Sequence, residues 1–193
     1  LQGRRPFAAR SDGPPPSPAR RGLLHGRKPL QARLMRWELI DKFEVLKKGE
    51  FGRAVKSFTG REDFFAEHEP GAPRVPEPLF IEMVAQTGGV LYGLGIGFKK
   101  EVILAKIENA VFLEPVIPPC RLDVEAVIEE EREEGAWISG TVRQAGKTVA
   151  TVKIMLVSIE GLNGPAGKIV FNDRFLSHYD ILNIAKKSEG LKV

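Results

Sequence analysis

Glu82 stands inside the run Leu79 to Leu91, whose side chains are mostly apolar, and His68 stands fourteen positions before it in a stretch punctuated by Pro70, Pro73, Pro76 and Pro78. An imidazole, with an ordinary pKa near ~6.5, can accept a proton at neutral pH; a carboxyl, ordinarily near ~4.3, can give one only where an apolar setting raises it. The two residue types are those of acid–base chemistry. Taken singly, each has a plainer reading. A carboxylate on a buried helix is costly unless paired, so an isolated Glu82 would be expected beside an arginine or at a helix end, and a loop histidine is usually solvated or satisfied locally. Gln86 lies four residues after Glu82, so on a helix the two share a face and can hydrogen-bond to each other or to a common partner.

The elements that must position these residues follow from patterning. Pro78 suits the first turn of a helix, where its missing N–H would have no partner. Beyond it Leu79, Phe80, Ile81, Met83, Val84, Ala85, Val90 and Leu91 spread around nearly the whole circumference, which predicts a helix buried on most sides. Gly93, Gly95 and Gly97 are expected to end it, as a glycine-rich exit rather than a phosphate loop. Before the helix, the prolines and Gly71 predict an irregular segment from Phe64 to Pro78. Leu39 to Leu46 and Gly52 to Phe58 read as a hairpin around Lys47-Lys48-Gly49-Glu50, and Val102 to Phe112, Arg121 to Ile128, Ala136 to Arg143 and Thr148 to Val157 read as further strands, the last two joined at Gln144-Ala145-Gly146-Lys147. The acidic residues Glu129, Glu130, Glu131, Glu133 and Glu134 read as a solvated strand end and turn, and the tail, Asn172 to Val193, as a short helix without assigned chemistry. This order predicts an α+β fold, an antiparallel sheet wrapped around one long central helix, and excludes βαβ alternation.

The chain of 193 residues carries a net charge of +4, and the excess is local. From Leu1 to Leu34 eight basic residues face only Asp12, leaving the remainder at about −3, a balance that does not suggest a nucleic-acid binder. The basic, proline-rich segment 1–34 has too little periodic apolar content to fold alone. It reads as an organelle transit peptide, as a basic arm for nucleic acid or anionic lipid, or as sequence upstream of a start at Met35. Residues 35–160 then form the folded domain and 161–193 a C-terminal extension. The longest apolar stretch, Leu79 to Phe98, is interrupted by Glu82 and Gln86, so no membrane span is expected. The single cysteine, Cys120, cannot form an internal disulfide, and no Cys/His cluster has metal-ligand spacing. A reducing cytoplasm and a site without metal or cofactor are the corresponding expectations.

The segment from Phe64 to Gln86, FFAEHEPGAPRVPEPLFIEMVAQ, resembles the active-site segment FFxGHFPGxPxxPGxLxxEAxAQ of the 3-hydroxyacyl-[acyl-carrier-protein] dehydratases of fatty-acid synthesis, the FabZ type. Leu39-Ile40-Asp41-Lys42 is similar to the family's early LVDR strand, and Phe112, Pro115, Val116 and Pro118 to its RFxxPVxPGD segment, so the resemblance runs from about Trp37 to Ser158. It implies a hot-dog fold and the dehydration of a (3R)-3-hydroxyacyl thioester to the trans-2-enoyl thioester. His68 would be the base at C2 and Glu82 the acid at C3, with Gly71, Glu77 and Gln86 lining the substrate site. Glutamate rather than aspartate at position 82 implies the FabZ type over the related dehydratase-isomerases. Backbone N–H groups at the start of the helix would stabilise charge on the thioester carbonyl. In hot-dog enzymes the cooperating histidine and acid come from different subunits, so the resemblance implies a homodimer, with a trimer of dimers as the larger assembly.

The chain also departs from the family pattern. Glu77 replaces the glycine before the helix and Pro78 follows it, which removes one N–H donor and leaves Glu77 to supply the other. Glu67 and Glu69 flank His68 with negative charge, favouring its protonated form. Val111, Leu113 and Glu114 stand around Phe112 where the family has basic residues, so acyl carrier protein and CoA both remain open as the substrate's carrier. Two other functions use the same residues differently. In a hot-dog thioesterase the carboxylate would activate water, and in an acyl-binding homologue the cavity would persist without turnover.

Overall fold

The computed structural model describes residues 39–68, 71–132, 134–160 and 171–191, without the side chains of 66–68. The compact unit Arg36–Val193 contains all of them, and the basic segment 1–34 lies outside the described residues. Six strands, β1 (Lys42–Lys47), β2 (Phe51–Phe58), β3 (Glu101–Phe112), β4 (Cys120–Arg132), β5 (Gly135–Gln144) and β6 (Lys147–Ile159), form one sheet in the order β1-β2-β4-β5-β6-β3. Every neighbouring pair is antiparallel. The β5–β6 hairpin turns at Ala145 and Gly146, both at positive φ (49° and 81°), the twist that two-residue hairpin loops favour.

The helix α2 (Pro78–Ile96) lies along this sheet and packs against β1 to β6. Alternate residues of the strands point at it: Leu122, Val124 and Ala126 from β4, Ile138 and Val142 from β5, Val152, Ile154 and Leu156 from β6, all buried. The helix meets them with Phe80, Met83, Val84, Val90, Leu91 and Tyr92. By length and mean hydropathy α2 could cross a membrane, but 61% of that window is buried inside the fold, which makes it the core helix the patterning predicts. Its approach to the sheet is close. A Cβ at Gly140 would lie 2.3 Å from Val84 Cγ1, and one at Gly88 would lie 2.7 Å from Ile138 Cγ2.

Three expectations change. The segment Phe64 to Pro78 is not irregular throughout, because α1 (Asp63–His68) occupies its start. The first proline of that stretch is Pro70, and before it Phe64 and Phe65 set their rings edge-on against Phe58 at 6.0 and 5.9 Å, which anchors a helical turn. Gly93 and Gly95 do not end α2; they lie within it, and the left-handed Gly97 (φ 67°) terminates it. Gly93 is needed small because the Phe98 ring folds back to within 2.4 Å of where its Cβ would be. The tail forms two helices, α3 (Asp173–His178) and α4 (Ile181–Ser188). They bury Phe171, Tyr179 and Ile181, and α4 covers β1, where the Leu46 N–H donates to Ser188 Oγ (3.1 Å).

The tight contact between α2 and β5 makes Gly140→Ala a sensitive probe. It is expected to destabilise the fold by about 1–3 kcal/mol through overpacking, read as a lower urea midpoint with an unchanged slope.

Candidate active site

Glu82 sits in the second turn of α2, half-buried, and its Oε1 accepts a hydrogen bond from Gln86 Nε2 at 2.9 Å. The Gln86 amide is oriented from its other end, where Oε1 accepts the Leu39 N–H at 3.0 Å. An N–H donor can only face the amide oxygen, so the NH2 group must turn toward Glu82. Glu82 has no ion pair among the described residues; the arginine partner that an isolated buried glutamate would need is not what holds it. The segment Leu39 to Asp41 is itself pinned: the Ile40 carbonyl accepts Tyr179 Oη–H at 2.7 Å and the Asp41 N–H donates to the Val55 carbonyl at 2.8 Å.

His68 ends α1; its side chain lies outside the described residues, as do Glu69 and Pro70. What precedes the helix is well defined. Glu62 takes three hydrogen bonds, from the Thr59 N–H (2.8 Å), Thr59 Oγ1–H (3.1 Å) and the Gly60 N–H (2.9 Å), while its own carbonyl accepts the Phe65 N–H (3.1 Å). Burial pushes the Glu62 carboxyl up, but these donors together outweigh it and hold it below the usual glutamate value. The Thr59-x-x-Glu62 spacing, a local capping signature, was the available sequence signal for this device.

Downstream of His68, Gly71 adopts a left-handed turn (φ 84°) that glycine takes without strain. The Val75 N–H then donates to the Val116 carbonyl at 2.8 Å, with both side chains buried. This bond ties the proline-rich loop to the connection between β3 and β4. Glu77 is exposed and enters α2 in helical conformation without a side-chain cap. In the first turn the Leu79 N–H donates to Pro76 O and the Phe80 N–H to Glu77 O, both at 3.0 Å. Pro78 has no N–H, so the Glu77 N–H is the remaining candidate donor at this end of the helix.

Cys120 opens β4 beside a cleft lined by Ser57, Phe58, Thr59, Arg61, Pro119 and Arg121. Burial pushes its thiol up; the hydrogen bond with the Phe58 backbone opposes this and the charge of Glu62 adds to it, with the net result raised. A thiol held protonated is a poor nucleophile, and none of the residues on α2 lines that cleft.

A six-stranded antiparallel sheet wrapped around one long buried helix defines a hot-dog protein. The chain belongs to the FabA-like family, whose domain model matches residues 33–153. A 3-hydroxyacyl-[acyl-carrier-protein] dehydratase FabZ of Erythrobacter litoralis is 36% identical over 118 residues, covering 58% of this chain and 76% of that protein. The same enzyme of Klebsiella pneumoniae is 32% identical over 120 residues, covering 61% and 80%. Among solved structures, S. sahachiroi AziG superposes with a TM-score of 0.53 at 16% identity over 66% of this chain and 95% of that one. The dehydratase heterocomplex ApeI:P of Xenorhabdus doucetiae gives 0.50 at 15% identity over 65% and 85%; both likenesses concern the fold.

The hold on Glu62 has a testable pH signature. A carboxyl lowered in the folded state adds stability that is complete above the ordinary glutamate value of ~4.3 and is lost as pH falls through the lowered one. Glu62→Gln is therefore expected to be less stable than wild type at pH 7, with the difference shrinking as pH falls below ~4.3; urea unfolding across pH checks it.

Proposed function

We propose that this protein dehydrates a 3-hydroxyacyl thioester to the trans-2-enoyl thioester in acyl-chain biosynthesis, with His68 as base and Glu82 as acid. The observation that carries this reading is Glu82, a carboxylate without an ionic partner among the described residues, fixed by Gln86 on the central helix of a FabA-like chain. In the proposed step His68 takes the C2 proton. The C2–H electron pair becomes the C2=C3 bond, and the C3–O bond breaks as the departing hydroxyl takes a proton from Glu82 and leaves as water. Oε1 is committed to Gln86, so the transferable proton sits on Oε2. The Glu77 N–H faces the task of holding the thioester oxygen as it gains charge. The elimination needs neither metal nor cofactor, and the free thiol of Cys120 suits a reducing cytoplasm. Acyl carrier protein is the carrier named for the FabZ relatives, and CoA is the alternative.

The same reading requires a second copy of the chain, since the base and acid of one site come from two subunits. The sheet supports this. Among the described residues strand β3 pairs with β6 and with no other strand, which leaves its outer edge unpaired there, whereas the opposite edge at β1 is covered by α4. Along and just beyond β3, Leu104, Ile107, Val111, Phe112 and Leu113 are exposed, Ile107 by 47%. An open apolar edge strand is a surface for strand pairing, and antiparallel pairing of two β3 edges is the proposed dimer.

Purified protein with a 3-hydroxyacyl thioester is expected to give the conjugated 2-enoyl thioester, followed by its absorbance and by mass. Release of free thiol without the enoyl product would instead favour thioester hydrolysis. His68→Ala and Glu82→Gln are each expected to lower kcat by roughly 10²- to 10⁴-fold, the usual share of one acid–base group. Ile107→Asp combined with Val111→Asp is expected to give monomers by light scattering and to lose activity; an active monomer would defeat the shared-site arrangement.

A further inference from the structure

We infer that Tyr179, on the helical extension beyond the matched family segment 33–153, is a positioning residue for Glu82. The inference rests on the reading of Glu82 as the acid and assigns a part of that site to a region outside the family domain. Five residues form a chain of contacts. Tyr179 Oη–H donates to the Ile40 carbonyl at 2.7 Å, the adjoining Leu39 N–H donates to Gln86 Oε1 at 3.0 Å, and Gln86 Nε2–H donates to Glu82 Oε1 at 2.9 Å.

The link between the first two bonds is the short backbone piece Leu39-Ile40, followed by Asp41, whose carboxylate accepts the Ser57 N–H (2.6 Å) and Lys56 Nζ–H (2.7 Å). Leu39 and Ile40 precede β1, whose ladder with β2 begins at Lys42. They are almost fully buried, yet their polar groups are not taken up by the ladder. The Asp41 N–H to Val55 bond (2.8 Å) fixes one end of this piece, and the Tyr179 hydroxyl fixes the carbonyl next to Leu39. Tyr179 is a firm support. It is 7% exposed, and its ring is set edge-on to Phe43 at 5.3 Å and packed on Phe175 at 4.8 Å. The hydroxyl therefore acts through Ile40 and Leu39 on the Gln86 amide, and the amide sets which carboxylate oxygen of Glu82 is free to transfer a proton.

Tyr179→Phe tests this in the full chain, because it removes one hydroxyl and keeps the ring packing that folds the extension. The expected result is a kcat lower by roughly 10- to 100-fold, the scale of small misplacements at a reacting group, with KM changed less than twofold. Gln86→Ala should lower kcat comparably, and the double variant should fall no further than Gln86→Ala alone, as members of one relay do. Deuterium exchange at the Leu39 amide should accelerate and the Gln86 side-chain NH2 resonances should shift in Tyr179→Phe. A variant with wild-type kcat, a multiplicative loss in the double variant, or an unchanged Leu39 exchange rate would each overturn the inference. Loss of thermal stability with kcat intact would do so as well. Should the wild-type protein show no dehydration, the functional reading fails by itself, while the exchange and NH2 measurements still decide whether Tyr179 holds Gln86.

Discussion

The close contact between α2 and the sheet governs the molecule. A helix that is apolar on almost every side has to be enclosed, and here glycines at the contact let helix and strand backbones approach to distances that no Cβ would permit, as at Gly140 against Val84. Enclosure has a second effect. Polar groups brought in with the helix need partners from the protein, since an unpaired one is costly there. Thr87 meets this within the helix by donating to the Met83 carbonyl at 2.8 Å, and Gln86 meets it by joining Leu39 to Glu82. The packing that makes the core is thus also what orients the carboxylate.

The segment that runs from α1, which ends at His68, to α2 is governed by a different balance. Its two ends are fixed, one by the aromatic cluster of Phe58, Phe64 and Phe65 with the Glu62 hydrogen bonds beneath it, the other by the bond from Val75 to Val116. Between them Gly71 makes the turn. Among the described residues between α1 and α2, the Gly71 turn and the bond from Val75 to Val116 hold the chain in place of a regular ladder. The two sheet edges are treated unequally as well: among the described residues α4 closes β1, and the outer edge of β3 is unpaired with an apolar surface. Assembly through β3 would use an edge that a free monomer would otherwise leave exposed to indiscriminate pairing.

Much of this was legible in the residues. Pro78 marked where α2 begins, the apolar circumference of Leu79 to Leu91 marked it as the core helix, and the spacing of Glu82 and Gln86 placed both on one face. The hairpin turns at Gly49 and Gly146 and the alternation in β4 to β6 set the strand register. All of these depend on neighbours within a few positions, governed by periods of 3.6 and 2 and by the backbone habits of proline and glycine. The family segment around His68 was readable for the same reason, as a pattern contiguous in the chain.

Other features rest on partners far away in sequence, and only the tertiary structure decided them. Gln86 takes its orientation from Leu39, 47 positions earlier; Tyr179 meets Ile40 across 139 and Ser188 meets Leu46 across 142. The helical start of the Phe64 to Pro78 stretch depended on rings docking onto Phe58, and the length of α2 on Phe98 folding back over Gly93. Each is a side chain satisfying one particular buried backbone group or filling one particular gap. No local period encodes such a match, because it exists only once the sheet has closed around the helix.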